Sequence, residues 1–290
     1  DDLRAHRQAM AILNTKDDAA AVLDELPDDP SVLHLSTRLC GAHRRRVLAE
    51  VRRRLNEGEP IRLVATQVVE AGVDLSFPRV LRALGPLDSI VQAAGRCNRE
   101  GEREAGHVTV FELVDGSTPP GAYRTGRDIA RRLLRTEADF DLHDPAAPRR
   151  YFQELYDSRE LDPDGVQGLR SELQFEQVAQ QYRLIDDDTT PVVVDYGDGW
   201  WILDDILEAA EHAGFVDRRD WRRLQPYTVT LYEHAMEEAR QHGNVHPLSE
   251  DLDLWRWDGG YDAGTLHEKT GTDGGRGLHT DGPSMNSLVL

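Results

Sequence analysis

Lysine is nearly missing from this sequence: Lys16 and Lys269 are its two occurrences, and the rest of the positive charge is arginine. A GC-rich genome produces that bias, and so does adaptation to a salty cytoplasm, where surface carboxylates hold water; both sources stay open. Cysteine is as scarce. Cys40 and Cys97 stand far apart, with no histidine or cysteine at metal-ligand spacing, which argues against a disulfide framework or a zinc module. They read as reduced thiols in a cytoplasmic protein. No run of about 18 apolar residues occurs, so no membrane contact is expected. The opening Asp1-Asp2 lacks the basic-then-apolar layout of a secretion signal, and no initiator methionine precedes it. A start inside a longer chain is the expectation.

What is abundant is carboxylate. The formal charge is -19, and it is uneven. Residues 1–110 hold 16 basic against 17 acidic side chains, whereas residues 111–290 hold 18 against 36. The acidity argues against nonspecific nucleic-acid binding, although a local arginine-lined groove can still take phosphate.

The first ~115 residues alternate strand and helix in the rhythm of a parallel sheet. Strands are predicted at Ala9–Leu13, Ser31–Leu35, Arg62–Thr66, Val80–Ala83 and His107–Leu113. Helices are predicted at Asp17–Leu26, ended by Pro27-Asp28-Asp29-Pro30, at Ala42–Leu55, and at Leu87–Ala94. Such an α/β, doubly wound sheet binds ligands beyond the carboxyl ends of its strands. An arginine-rich helix is predicted around Gly126–Ala138, and Pro145 and Pro148 mark a boundary. Beyond it come strands at Val192–Tyr196 and Tyr227–Leu231, a helix at Trp201–Ala213 and a dense set of aromatics, read mainly as the core of a small α+β domain. The expected division is 1–145, 150–265, and a poorly ordered Gly-, Thr- and Asp-rich tail over 266–290.

Two stretches carry chemistry. In Gln92-Ala93-Ala94-Gly95-Arg96-Cys97-Asn98-Arg99, two arginines three apart on a helical turn would point the same way. Such guanidinium groups suit a triphosphate bound across a cleft, where charge develops on the γ-phosphate. On spacing alone, an ordinary surface helix explains them equally well. In Ala65-Thr66-Gln67-Val68-Val69-Glu70-Ala71-Gly72-Val73-Asp74-Leu75, at the end of the third strand, Thr66 and the amides after it could hold a strand phosphate. Gly72 permits a tight turn, and Asp74 could bond a ribose hydroxyl or orient an arginine. Taken alone, a capped strand–turn–helix with a solvated Asp is the simpler reading.

In this order and at this distance, the two stretches resemble motifs V and VI of superfamily 2 helicases. Gln92, Gly95, Arg96 and Arg99 match the motif VI pattern Gln-x-x-Gly-Arg-x-x-Arg; Thr66, Glu70, Gly72 and Asp74 match motif V; Asn14-Thr15 resembles motif IV. Val32 to Arg38, Ala42-His43-Arg44 and Pro86 to Gly101 narrow the resemblance to the helicase–nuclease of type I CRISPR-associated systems, over ~10–113. Leu224 to Val229 and Tyr261-Asp262 resemble its C-terminal accessory domain less specifically.

The resemblance implies a RecA-like second helicase domain with an accessory domain, in an ATP-dependent single-strand DNA translocase. Arg96 and Arg99 would be catalytic, with Gln92, Gly95, Gly72 and Asp74 on ATP. Thr66, Glu70, Asn14, Thr15, Ser36 and Arg44 would contact nucleic acid. Implied partners are single-stranded DNA, a CRISPR surveillance complex, and an N-terminal nuclease with a first RecA-like domain. Mg²⁺ would travel with ATP, held mainly by that other half. This chain has no Gly-Lys-Ser/Thr phosphate loop, since Lys269-Thr270 follows Glu268. It has no Asp-Glu box after an apolar strand, since Asp24-Glu25 closes a helix. His143-Asp144 has no accompanying His/Asp set, so no metal site is expected, and the fragment alone is not expected to hydrolyse ATP. The six arginines Arg44–Arg46 and Arg52–Arg54 could line a strand path, but they read first as a solvated helix face.

Overall fold

The computed structural model describes residues 1–70, 72–99, 101, 104–136, 140, 142, 144–182, 189–213, 216–249, 254–264 and 275–279. Its first half runs α1 (Asp2–Ala5), β1 (Gln8–Ile12), α2 (Lys16–Asp24), β2 (Val32–Leu35), α3 (Gly41–Asn56), β3 (Ile61–Ala65), β4 (Arg79–Ala83), α4 (Leu87–Ala94) and β5 (His107–Phe111). The strands form one parallel sheet in the order β2-β3-β1-β4-β5. β1 is central and every one of its residues is buried, because helices cover both faces. Met10 and Ile12 face one layer with Leu33, Leu63, Val47 and Val51. Ala9, Ala11 and Leu13 face the other, against Leu3, Ala19 and Leu23. Each large side chain so enclosed contributes about 1.5–3 kcal/mol. The helix after β1 begins where expected: the Thr15 hydroxyl accepts from the Asp18 amide at 3.1 Å, and Asp17 and Asp18 sit in the positive first turn.

The next helices are α5 (Ala122–Thr136) and α6 (Ala146–Asp157). Where the sequence suggested a boundary near 145–150, the chain enters α6. Tyr151 packs there with Leu87 of α4 and with Ala130 and Leu133 of α5. This places α6 on the flank of the parallel sheet. Two short helices follow, α7 (Val166–Ser171) and α8 (Phe175–Gln181).

The last part holds β6 (Thr189–Val193), α9 (Gly199–Ala213), α10 (Arg218–Leu224), β7 (Thr228–Tyr232), α11 (Glu233–Gln241), β8 (Val245–Ser249), β9 (Leu254–Trp257), β10 (Tyr261–Asp262) and β11 (Gly277–Leu278). Four of these strands make a mixed sheet, β7-β6-β9-β8. Of the aromatic cluster, Tyr196 and Trp257 are core, whereas Trp201 and Tyr232 are exposed. The strand expected at Val192–Tyr196 starts three residues earlier, at Thr189, and ends at Val193.

The small sheet docks directly on α3. Cys40 lies in its core with Val192, Val194, Tyr196 and Trp257. The Tyr261 hydroxyl meets the Cys40 amide at 3.0 Å and His43 Nδ1 at 2.9 Å. Leu278 donates its amide to the Arg38 carbonyl at 2.9 Å. The tail expected from 266 onward lies mostly outside the described residues, but 275–279 are ordered into this contact, with Leu278 buried. Lys269 and Thr270 fall outside the described residues. No helix among the described residues is long and apolar enough to cross a membrane.

Candidate nucleotide and nucleic-acid interface

β3 and β4 are both parallel to β1, so the chain leaving β3 at Thr66 must return across the sheet before β4 begins. That return segment, Thr66 to Phe77, buries Val69, Leu75 and Phe77 in the layer shared with α3 and α4. It is the motif V-like stretch, and the motif VI-like stretch is stitched along it. The Phe77 amide donates to the Arg96 carbonyl, and the Asn98 amide to the Phe77 carbonyl, each at 2.9 Å. Asn98 takes a positive φ of 49°, which asparagine tolerates. Gly72 takes 70° at its turn, where a side chain would be strained.

This geometry corrects the expected pair of arginines on one helical turn. α4 ends at Ala94, and both arginines follow it in a turn bonded to Phe77. They face different environments. Arg96 is buried, and its Nη2 donates to the Glu70 carbonyl at 2.6 Å. Arg99 is exposed, with its Nε 3.0 Å from an Asp74 carboxylate that is itself 72% exposed. Its amide is anchored by Ser76 Oγ at 3.0 Å. The two interactions differ in how readily they exchange. A surface pair is worth about 0–1 kcal/mol, so Arg99 can trade Asp74 for another anion at little cost. A buried charge-assisted bond is worth about 1.5–3 kcal/mol, so Arg96 is held.

Several residues expected on nucleic acid are turned inward. Glu70 is buried, with Oε1 2.9 Å from Nη2 of a fully buried Arg82. Burial pushes the Glu70 carboxyl up, against the pull of Arg82 and the Ser89 hydroxyl. Ser36 is fully buried, and its hydroxyl meets His34 Nε2 at 2.8 Å; burial holds that imidazole near pKa 4, hence neutral. Thr66 is 4% exposed. Asn14 is a strut: Nδ2 donates to the Leu84 carbonyl at 2.9 Å, while Oδ1 accepts from Arg82 Nη1 at 2.7 Å and from the Tyr123 hydroxyl at 2.8 Å. The side chains of Glu70, Ser36, Thr66 and Asn14 therefore serve the interior. Thr15 and Arg44 keep part of their surface, as do Gln92, Gly95, Gly72 and Asp74 on the expected nucleotide side.

Arg82 is the buried linking residue of this region that sequence reading missed. It joins the end of β1 through Asn14, the return segment through Glu70, and α5 through Tyr123. Gly85 makes room for it: a Cβ there would lie 2.7 Å from the Tyr123 hydroxyl and 3.1 Å from Arg82 Nη2. An arginine inside an apolar strand, Arg79-Val80-Leu81-Arg82-Ala83, was the available signal. Of the arginines expected to face solvent on α3, Arg54 is buried against Glu50 and the Pro30 carbonyl, both at 2.6 Å. Asp144 caps α6 through the Ala146 amide at 2.8 Å; His143 lies outside the described residues, as do Ala71 and Glu100. Among the described residues no group of three His, Cys, Asp or Glu side chains is placed to hold a metal ion.

The described residues thus form a RecA-like parallel sheet whose β3–β4 segment and α4 turn are bonded to one another, with a small mixed-sheet domain attached. Residues 5–102 match the family model for the C-terminal region of the CRISPR-associated nuclease/helicase Cas3. That stretch of the chain is thus similar to the C-terminal region of Cas3. It is 55% identical over 74 residues to the Cas3 of Haloferax volcanii, a match taking in 24% of this chain and 8% of that protein. It is 26% identical over 116 residues to the Cas3 of Methanothermobacter thermautotrophicus, covering 39% of this chain and 14% of that one. The crystal structure of T. fusca Cas3 with ATP superposes with a TM-score of 0.56 at 19% identity, over 86% of this chain and 35% of that chain. A chain of a CRISPR RNA-guided surveillance complex before nicking superposes with a TM-score of 0.51 at 19% identity, over 86% and 37%. This chain thus spans about a third of the solved structures it matches.

Proposed function

We propose that this chain is the second RecA-like half, with its accessory domain, of an ATP-dependent single-strand DNA translocase acting in type I CRISPR interference. ATP is then the substrate, bound between this domain and a first RecA-like domain, and a nuclease domain and a CRISPR surveillance complex are the partners. Mg²⁺ would travel with ATP, held mainly by the first RecA-like domain.

One observation carries the reading: Arg99 is accessible and weakly paired, next to an Arg96 locked to the segment that leads back to β3. Arg99 would meet the phosphates and stabilise charge developing there. Arg96 would act as the positioning residue, tying that turn to Glu70. Gln92, Gly95, Gly72 and Asp74 would frame the nucleotide, while Thr15 and Arg44 would face the DNA strand. Glu70, Ser36, Thr66 and Asn14 would support those contacts from behind. T. fusca Cas3 has been solved with ATP and with AMPPNP, which supports a nucleotide site in this family.

The test is Arg99→Ala in the protein carrying both helicase domains. DNA-stimulated ATPase should drop by about 10³-fold or more, with the thermal midpoint unchanged. Normal turnover would refute the assignment. Strand binding with no ATPase in the unsubstituted protein would point instead to a non-catalytic DNA-binding remnant.

A further inference from the structure

Among the described residues, the accessory domain carries arginines that no carboxylate claims. Six arginines lie between residues 189 and 264. Arg223 binds Asp205 and Asp220, Arg240 binds Glu233 and Glu237, and Arg256 binds Asp258. The other three, Arg218, Arg219 and Arg222, are all on α10 and exposed, with no side-chain ion pair or hydrogen bond among the described residues. In a half of the chain with twice as many acidic as basic residues, this is a local reversal of charge.

Two of the three face a groove of about 370 Å³. Its wall is one side of α10 and the turn after it: Arg218, Trp221, Arg222 and Gln225, at i, i+3, i+4 and i+7, the spacing of one helical face. Its floor is Thr228 and Thr230 on β7, with Pro191 in register opposite Thr230. β7 is the outer strand of its sheet. The groove thus presents two guanidinium groups, an indole, a carboxamide and two threonines together, the Thr228 hydroxyl donating to the Gln225 carbonyl at 3.0 Å. Guanidinium and hydroxyl groups suit phosphodiester oxygens, and a partly exposed indole suits a base. The turn after α10 packs on the parallel-sheet domain, where a Cβ added to Gly41 would lie 3.4 Å from the Pro226 carbonyl oxygen. Gly41 opens α3, which carries Arg44 in its first turn. The groove therefore adjoins the helix that also bears a candidate strand contact.

We propose that Arg218, Trp221, Arg222, Gln225, Thr228 and Thr230 form a phosphate-and-base subsite for single-stranded nucleic acid, separate from the return segment between β3 and β4. It rests on the reading above only in taking a nucleic-acid strand as the ligand, and it needs no hydrolysis.

The experiment is fluorescence anisotropy of the full 290-residue chain with a labelled oligothymidylate of roughly 20 nucleotides, titrated across salt. Arg218→Glu/Arg222→Glu should weaken binding about tenfold near 0.1 M salt and flatten the log–log salt slope by about 1.4, the share of two phosphates on a single strand. Arg218→Lys/Arg222→Lys should keep the slope. Arg135→Glu/Arg149→Glu makes the same charge change at exposed arginines elsewhere and should have little effect. An equal loss in that control would reduce the effect to net charge and overturn the subsite. So would unchanged binding in Arg218→Glu/Arg222→Glu, or polyglutamate displacing the strand from the unsubstituted chain but not from that variant, which would mark the groove as a site for acidic peptide. If the unsubstituted chain binds no oligonucleotide, the strand-binding reading itself fails.

Discussion

Arg82 keeps a full positive charge with no solvent access, at the end of a β-strand, beside a glutamate that is also buried. Desolvating two charges outweighs their attraction unless hydrogen bonds complete the site. Here the Asn14 Oδ1, the Ala83 carbonyl and the Tyr123 hydroxyl satisfy Nη1 and Nη2, each within 2.8 Å, while the buried Nε has no hydrogen-bond partner among the described residues. Arg82→Met should therefore cost about 3–5 kcal/mol, because Glu70 is left uncompensated. Glu70→Gln added to it should restore part of that loss, read as a non-additive double-mutant cycle in urea unfolding. Additive costs would show that the two groups are not coupled. The pH dependence has a definite sign. Burial already raises the Glu70 carboxyl, and losing Arg82 raises it further. A raised carboxyl contributes its stability below the unfolded value and loses it as pH rises through the folded one. The Arg82→Met defect should thus grow from acid toward neutral pH.

At the scale of the element, α3 shows how periodicity can be right about a helix and wrong about its surface. Val47 and Val51 face the core as their spacing requires. Arg53 and Arg54, expected in solvent, converge on Glu50 at 2.9 and 2.6 Å. Hydrogen bonds from Arg53, then Arg54, hold the Glu50 carboxyl down to about 2, against some desolvation. A lowered carboxyl contributes stability that is complete above its ordinary value near 4.5 and fades as pH falls toward 2. Glu50→Gln should cost about 2 kcal/mol at pH 7, chiefly because buried Arg54 loses its charged partner. The deficit should close by about pH 2 in thermal unfolding scans. An undiminished deficit there would assign the loss to packing. α4 teaches a related lesson: its ends are those the sequence predicts, Leu87 and Ala94. The motif VI-like arginines sit past it, and the backbone bonds of the following turn to Phe77 turn one in and one out.

At the scale of the whole molecule, the small sheet domain and the parallel-sheet domain share a core through Cys40 and Ala42. Tyr261 bonds Cys40 and His43, and Gly277 passes so close to the Arg38 carbonyl that a Cβ would lie 2.4 Å from it. All five tryptophans lie between residues 200 and 257, so their fluorescence reports on the small domain, while far-UV circular dichroism reports on the entire chain. The two probes should give coincident denaturant transitions. Tyr261→Phe leaves the Cys40 amide without its acceptor, a cost of about 1–3 kcal/mol, and should separate the curves, the fluorescence transition moving to lower denaturant. Curves that stay together in the variant would mean that the shared core holds without that bond.

The parallel sheet was legible from the sequence because buried strands read as short apolar runs and covering helices as one-sided stripes; both are local patterns. The order of the two motif-like stretches was legible for the same reason, since matching needs only residue types at fixed spacing. Which motif residues reach the surface was not. Glu70 and Asn14 look like solvent-facing polar residues until Arg82, held beside them by the pairing of β4 with β1, takes up their oxygens. The docking of residues 261–262 and 275–279 on α3, and the basic groove between α10 and β7, join segments far apart in the chain or in different elements. Burial, ion pairing and charge reversal depend on distances that only the tertiary structure sets.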